Sequence, residues 1–287
     1  MRLVAYHPEG RAKRRNIAVG VVINDKLAPL TDIDSFYDDL PRWKARAREQ
    51  AEGTIRLGDV DLAPPVPIGA KVLCAAINYV KHGQESNLPT PPFPNLFARW
   101  TSELVVDGTA VPVPLAEPEG LDWEVELAAI VGETLTDVDA ATAEKAILGF
   151  TVCNEISARA SQVQMTTLST GQWCLGKNSE KSGAIGSFIQ TADTYDYRGR
   201  TLETRLNGQV MQSGNTDDMV FSVGELAAFA SRHVTLRPGD LLLTGTPDGV
   251  GFSRKPRVLM VPGDTVTVTA EGLGSVTNPI IDASGRG

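Results

Sequence analysis

Glu124 and Glu126 stand two residues apart in the apolar run Leu-Asp-Trp-Glu-Val-Glu-Leu-Ala-Ala-Ile-Val at 121–131. Successive side chains of a strand point to opposite faces, so a strand here puts both carboxylates on one face. Neighbouring carboxylates repel, and burial strips each of its hydration. A divalent cation relieves both penalties. A third acid, Glu155, lies in a second apolar run at 150–156. Three carboxylates, with positions left over for water, suit Mg²⁺ or Mn²⁺. A second reading stands beside this one: Asp122, Glu124 and Glu126 also alternate as the solvated face of a strand would.

Histidine is scarce. His7 near the N-terminus and His233 after a helical stretch read as structural. His82 lies in Asn-Tyr-Val-Lys-His-Gly-Gln-Glu at 78–85, just after a strand-like run. On a helical turn His82 and Glu85 share a face. A carboxylate beside an imidazole orients the ring, and the pair could serve as a general base on water; an ordinary surface ion pair has the same spacing. Beyond Glu155, Arg159 offers a planar fork to a substrate carboxylate and Gln162 a further hydrogen bond. The alternative is two solvated residues at a helix start. Lys177 follows an apolar approach and Gly176, which suits a partly buried cation able to bind an enolate oxygen or hold a carboxylate. The glycine-rich run 244–251 could present backbone N–H groups to an anion, or simply turn the chain. It lacks the Gly-Lys-Ser/Thr ending of a phosphate loop. No Gly-x-Gly-x-x-Gly opens a helix and no Gly-x-Ser-x-Gly elbow occurs, so neither a dinucleotide site nor a serine hydrolase triad is supported.

The elements that must hold these residues can be sketched from the chain. Its 287 residues, 42% hydrophobic, suffice for one large domain or one domain plus a smaller one. A net charge of −8 argues against nucleic acid and anionic membrane as partners. No run approaches the roughly 20 apolar residues of a membrane span, and the first residues lack an apolar signal core. Cys74, Cys153 and Cys174 are too few and too scattered for a disulfide framework or a thiolate zinc site. A reduced, cytoplasmic protein is expected. Residues 1–65 read as a small separate unit, with a strand at 16–23 and a charged helix at 41–50. A proline-rich break at 63–67 leads into a second unit, 66–287. There, strands are expected at 71–77 and 121–131, a short helix or turn at 80–86 and a helix at 140–148. A hairpin is expected at 201–212 around Asn207-Gly208. Ser222 and Glu225 form a capping box opening a helix at 226–231. Scattered strands with few helices point to a sheet-rich barrel, roll or sandwich.

In order from about 71 to 279, these segments resemble the fumarylacetoacetate hydrolase family. Asn78-Tyr79-x-x-His82-x-x-Glu85 is similar to its lid motif, and Asp122-Trp123-Glu124-Val125-Glu126-Leu127 to its metal-binding strand. Asn154-Glu155-Ile156-Ser157-Ala158-Arg159, with Gln162, resembles its third-ligand segment, and Gly176-Lys177 its active-site lysine. Asn207-Gly208, the run 212–216 and the run 244–251 resemble later signatures. The resemblance implies an α+β, β-rich fold: a mixed β-sandwich roll with a small N-terminal α/β domain, assembled as a homodimer. It implies Mg²⁺ or Mn²⁺ on Glu124, Glu126 and Glu155, with His82 and Glu85 as the base pair on a mobile lid. Lys177, Arg159, Gln162, Thr246 and Tyr79 would contact a small keto acid. Two departures stand out: Glu155 replaces the usual aspartate, and 178–184 differs from the usual Asp-Thr-Phe pattern after the lysine.

The expected activity is metal-dependent hydrolysis of a C–C bond in an acylpyruvate-like or fumarylacetoacetate-like diketo acid, of the kind met in aromatic catabolism. The same cradle suits decarboxylation of an oxaloacetate-like acid, or isomerisation or hydration of an unsaturated 2-oxo diacid. The two departures motivate a reading of another class, a metal-stabilised binding module without turnover.

Overall fold

The two apolar runs that carry the acids lie side by side at the centre of a sheet. In the computed structural model, which describes residues 1–10, 16–165 and 171–283, the strand Val125–Val131 pairs antiparallel with Ile147–Glu155. Every residue of both strands is buried. Near-continuous hydrophobic runs are what strands covered on both faces require. Val125, Leu127, Ala129 and Val131 join a core cluster with Leu202, Val268 and Val276. Ala128 and Ile130, on the opposite face, cluster with Leu3, Val19, Phe36 and Leu40. A fully buried Leu or Phe contributes roughly 1.5–3 kcal/mol, so both clusters stabilise this central pair substantially.

The larger sheet has 13 strands among the described residues. From the central pair it runs through Leu241–Leu243 and Val72–Ala76 to Asn95–Arg99. In the other direction it runs through Phe188–Thr191 to Arg2–His7, Ala18–Ile23 and Lys26–Asp32. Most pairs are antiparallel, but Leu241–Leu243 and Val72–Ala76 are parallel, which makes the sheet mixed. A five-stranded sheet, ordered Gln209–Asn215, Thr201–Leu206, Thr265–Ala270, Gly274–Asp282 and Val111–Val113, supplies residues to the first cluster. The architecture is α+β and β-rich, as the resemblance implies. Strands before residue 66 continue the larger sheet, because Arg2–His7 pairs with Phe188–Thr191. No helix among the described residues is long and apolar enough to cross a membrane.

Several local expectations hold. The hairpin turns at Asn207-Gly208 with positive φ at both residues, 50° and 83°, as a type I′ turn requires. The capping box of Ser222 and Glu225 opens the helix Val223–Ser231. Two expectations are corrected. The strand expected at 121–131 begins only at Val125; Leu121 and Asp122 make isolated bridges to Met260 and Ser157. Side-chain oxygens take the place of ladder partners there, since Asp122 Oδ1 accepts from Trp123 N and Asn154 Oδ1 from Glu124 N. The helix expected at 140–148 ends at Lys145, and Ile147 and Leu148 enter the central strand. Burial in the sheet outweighs the weak helix propensity of a short segment.

Candidate active site

The cross-strand register brings the acids together. Glu155 N donates to Glu124 O at 2.8 Å, so the two residues face each other at the ends of neighbouring strands. Glu126 projects from the same face as Glu124. All three are buried, and one ligand atom from each lies within 4.8 Å of the others. The reading of a solvated face is overturned: Asp122 is 0% exposed, Glu124 4% and Glu126 1%.

Cations compensate most of this charge. Lys177, at the end of the helix Trp173–Lys177, donates from Nζ to Glu124 Oε2 at 2.5 Å and to Glu155 Oε2 at 3.0 Å. Arg159 spans Asp122 Oδ2 at 2.9 Å from Nε and Glu124 Oε1 at 2.5 Å from Nη2. Its Nη1 donates to Gln162 Oε1 at 2.9 Å. Arg99 Nε donates to Glu155 Oε1 at 3.2 Å. Burial works to raise the Glu124 carboxyl, but Lys177 and Arg159 outweigh it and hold the group below the usual carboxylate range. Burial works to lower Lys177, but Glu124 and Glu155 outweigh it and raise the ammonium. Burial raises Asp122 in spite of Arg159.

Glu126 is the exception. Its Oε2 accepts only the Gly245 N–H, at 2.8 Å, and no cationic side chain pairs with it among the described residues. Burial first, then Glu155 and Glu124, push its carboxyl well above the ordinary value. Three converging hard oxygen donors, one of them an uncompensated buried carboxylate, fit a divalent cation of the Mg²⁺ or Mn²⁺ type.

Close backbone approaches fix this geometry. Gly245 has φ +91°, a left-handed conformation that suits glycine, and this turns its N–H onto Glu126. A Cβ at Gly176 would lie 2.4 Å from Gln162 Cβ, so only glycine lets the Lys177 helix approach the Gln162 segment. That segment, Ala160–Gln164, forms a π-helical turn. Glu117 caps it from below, accepting from Ala160 N at 2.8 Å and Ser161 N at 2.7 Å.

The site opens into a cavity of about 250 Å³, lined by His82, Glu124, Glu126, Glu155, Arg159, Gln162, Lys177 and Thr246. Phe97, Trp173, Val163, Val250 and Phe252 form its apolar wall. His82 lies on the helix Val80–Glu85, and its Nδ1 is 2.8 Å from Glu85 Oε1. Glu85 is itself held by the Gly249 N–H at 2.9 Å. With Nδ1–H donating to Glu85, Nε2 of the neutral ring is free to accept a proton. The helix is reached through Ile77, a β-branched residue at φ +55° that lines the cavity. Such backbone strain persists only where the surroundings over-determine it. Asn78 does this, donating to Phe221 O and Thr244 O and accepting from Phe221 N.

Two expected contacts differ from the rest. Tyr79 does not line the cavity: it is 1% exposed within the first core cluster, where its backbone bridges to Met219. Thr246 does reach the wall, but its hydroxyl donates to Val125 O and accepts from Gln212 Nε2. Arg99 and Glu117 carry no local signal along the chain, because their buried partners are 56 and 43 positions away. Asp122 was visible, yet its alternation with Glu124 suggested solvent, not a partner for Arg159.

This fold and this constellation define a class: the chain belongs to the fumarylacetoacetate hydrolase family. The model of the fumarylacetoacetate (FAA) hydrolase C-terminal family matches residues 71–281. Among its relatives, the human protein oxaloacetate tautomerase FAHD2A, mitochondrial, is 36% identical over 265 residues, which cover 87% of this chain and 83% of that protein. The structure of a 5-carboxymethyl-2-hydroxymuconate delta-isomerase from Mycobacterium smegmatis superposes with a TM-score of 0.76 at 29% identity, covering 98% of this chain and 99% of that one. A fumarylpyruvate hydrolase from Pseudomonas aeruginosa, solved with Mn²⁺ and pyruvate, gives a TM-score of 0.67 at 26% identity, covering 76% of this chain and 91% of that one. The family and the site together mark this chain as a keto-acid enzyme that depends on a divalent metal.

Proposed function

We propose that the chain hydrolyses a C–C bond in a small β-diketo acid of acylpyruvate or fumarylacetoacetate type. The observation that carries this reading is His82, oriented by Glu85 and lining the same cavity as Glu124, Glu126 and Glu155. A base poised over a metal-binding cluster is the minimum equipment for attack by water on a carbonyl. The complex of the Pseudomonas aeruginosa fumarylpyruvate hydrolase with Mn²⁺ and pyruvate supports the same ligand chemistry here.

Glu124, Glu126 and Glu155 would hold the cation. When bound, it supplies Lewis-acid polarisation of a chelating 2-oxo carboxylate. His82 Nε2 takes a proton from water as the water oxygen bonds to the distal carbonyl carbon. The C–C bond then breaks, and its electron pair passes into the enolate of the departing 2-oxo acid. Lys177 Nζ, which lines the same cavity, stabilises the enolate oxygen. The proton held by His82 returns to the enolate carbon. Arg159 and Gln162 anchor the substrate's polar end, and the wall of Phe97, Trp173 and Phe252 shields the reaction from solvent.

A second reading is proton transfer without cleavage, favoured by the tautomerase and isomerase names of the relatives at 36% and 29% identity. It uses the same base and the same enolate stabilisation but no water. Product analysis with Mn²⁺-loaded protein separates the two. An acylpyruvate converted to pyruvate and a carboxylic acid supports hydrolysis. A product with an unchanged carbon count, and no fragments from any diketo acid, refutes it. Release of CO₂ from oxaloacetate would instead reveal a decarboxylase.

The proposed assembly is a homodimer, and residues 1–65 are proposed as an accessory unit whose strands extend the catalytic sheet. A cytoplasmic setting remains our proposal, and it accords with three free thiols, two of them buried.

A further inference from the structure

Arg99 ends the strand Asn95–Arg99, and its side chain is 0% exposed. A buried guanidinium is costly unless every donor is used. Here each of its three nitrogens donates one bond to the segment that carries Glu155 or to Ser182 beside it. Nε donates to Glu155 Oε1 at 3.2 Å, Nη1 to Ser182 Oγ at 3.0 Å and Nη2 to Ile156 O at 2.5 Å. Ser182 is itself tied to that chain, since its carbonyl accepts from Ile156 N at 3.0 Å. The arginine therefore grips both the side chain of Glu155 and the backbone next to it.

The two oxygens of Glu155 face opposite partners. Oε1 is held by Arg99, while Oε2 meets Lys177 Nζ, which also contacts Glu124 Oε2. We propose that Arg99 is a positioning residue for the third metal ligand: by fixing Glu155 Oε1 it presents Oε2 alone to the ion. A glutamate has three side-chain torsions to immobilise, and a ligand oxygen binds well only when that cost is met before the ion arrives. Arg99 also places a buried positive charge behind the carboxylate, which offsets its desolvation without occupying the face turned to the cluster. Lysine cannot replace it, because an ammonium lacks the planar fork that reaches three acceptors at once.

The inference rests on reading Glu124, Glu126 and Glu155 as metal ligands, and the test keeps the two apart. Mn²⁺ affinity is measured on wild type, R99K, E155Q and the double variant, by counting free Mn²⁺ with electron paramagnetic resonance. Melting of each metal-free protein serves as the folding control. R99K keeps the charge and loses the fork, so Mn²⁺ affinity falls about tenfold while Glu155 is present. In the E155Q background the same change alters affinity by no more than about twofold, because the group it positions is gone. Equal losses in both backgrounds, or no loss in either, would overturn the role of Arg99. A wild-type protein that binds no Mn²⁺ would overturn the ligand reading and this inference together. Should R99K not fold, R99Q, which keeps a planar donor, enters the same comparison with the same criteria.

Discussion

The main-chain N–H of Gly245 donates to Glu126 Oε2 at 2.8 Å, and among the described residues no side-chain cation pairs with that carboxylate. Glu124 has Lys177 and Arg159, and Glu155 has Lys177 and Arg99. Glu126 is thus the acid of the three with no paired cation, and burial favours its protonated form until an ion takes the proton's place. E126Q keeps the shape and the acceptor for Gly245 but removes the charge. Mn²⁺ affinity should fall about 100-fold or more in titration calorimetry, since an ion-ligating carboxylate is lost. Melting of the metal-free variant should match or exceed that of wild type, because a buried, uncompensated acid has been removed.

Lys177 makes the opposite case. K177M leaves Glu124 and Glu155 buried with less positive charge, at a cost of about 3–5 kcal/mol to the metal-free protein. Bound Mn²⁺ restores part of that charge. Melting curves with and without Mn²⁺ should therefore show a larger metal-induced shift for K177M than for wild type. Turnover should remain low even at saturating metal, because the group assigned to the enolate oxygen is absent.

His82 and Glu85 should affect rate without affecting the ion. H82N removes the proposed base and should lower kcat about 10²–10⁴-fold. E85Q disturbs only the orientation of the ring and should cost less. Mn²⁺ affinity should stay near the wild-type value in both. A large loss of affinity in H82N would instead assign the ring to the metal.

Tyr79 tests the one expected substrate contact that the fold turns inward. Its hydroxyl is buried, and among the described residues no well-formed hydrogen bond reaches it. Y79F removes an unsatisfied group, so denaturant unfolding should show equal or greater stability, by up to about 1 kcal/mol. Steady-state kinetics should change by less than about twofold, a difference small against one lost hydrogen bond to substrate. A marked rise in KM would return the phenol to the site.

Tyr37 gives a pH-dependent prediction at the junction between the first 65 residues and the rest. Its hydroxyl donates to Pro65 O at 2.5 Å, and burial raises its phenol above the ordinary value of 10.0. Below the unfolded value both states keep the proton, so the group adds no pH dependence to stability there. Above it the unfolded chain ionises while the folded phenol resists, and stability falls as pH rises. Y37F should lose about 1 kcal/mol at neutral pH, from the missing hydrogen bond. It should also show a shallower decline in unfolding free energy above pH ~10.

The sequence by itself determined which groups could do chemistry and where they sit along the chain. Glu124, Glu126, Glu155, His82, Glu85, Arg159, Gln162 and Lys177 were all legible, because charged residues inside apolar runs or beside glycine are locally anomalous. The hairpin at Asn207-Gly208 and the cap at Ser222 were legible for a similar reason: their geometry depends on neighbours a few residues away. Whether the acids were wet or buried was decided by the tertiary structure. Two core clusters cover both faces of the central strands, which removes the solvent that the alternation of Asp122, Glu124 and Glu126 suggested. The third dimension also chose Arg99 and Glu117, whose partners lie 56 and 43 positions away. It turned Tyr79 into the core and cut the helix at Lys145 so that Ile147 could pair in the sheet. Local signals encode local geometry, whereas burial and ion pairing across a sheet depend on long-range contacts that spacing along the chain does not record.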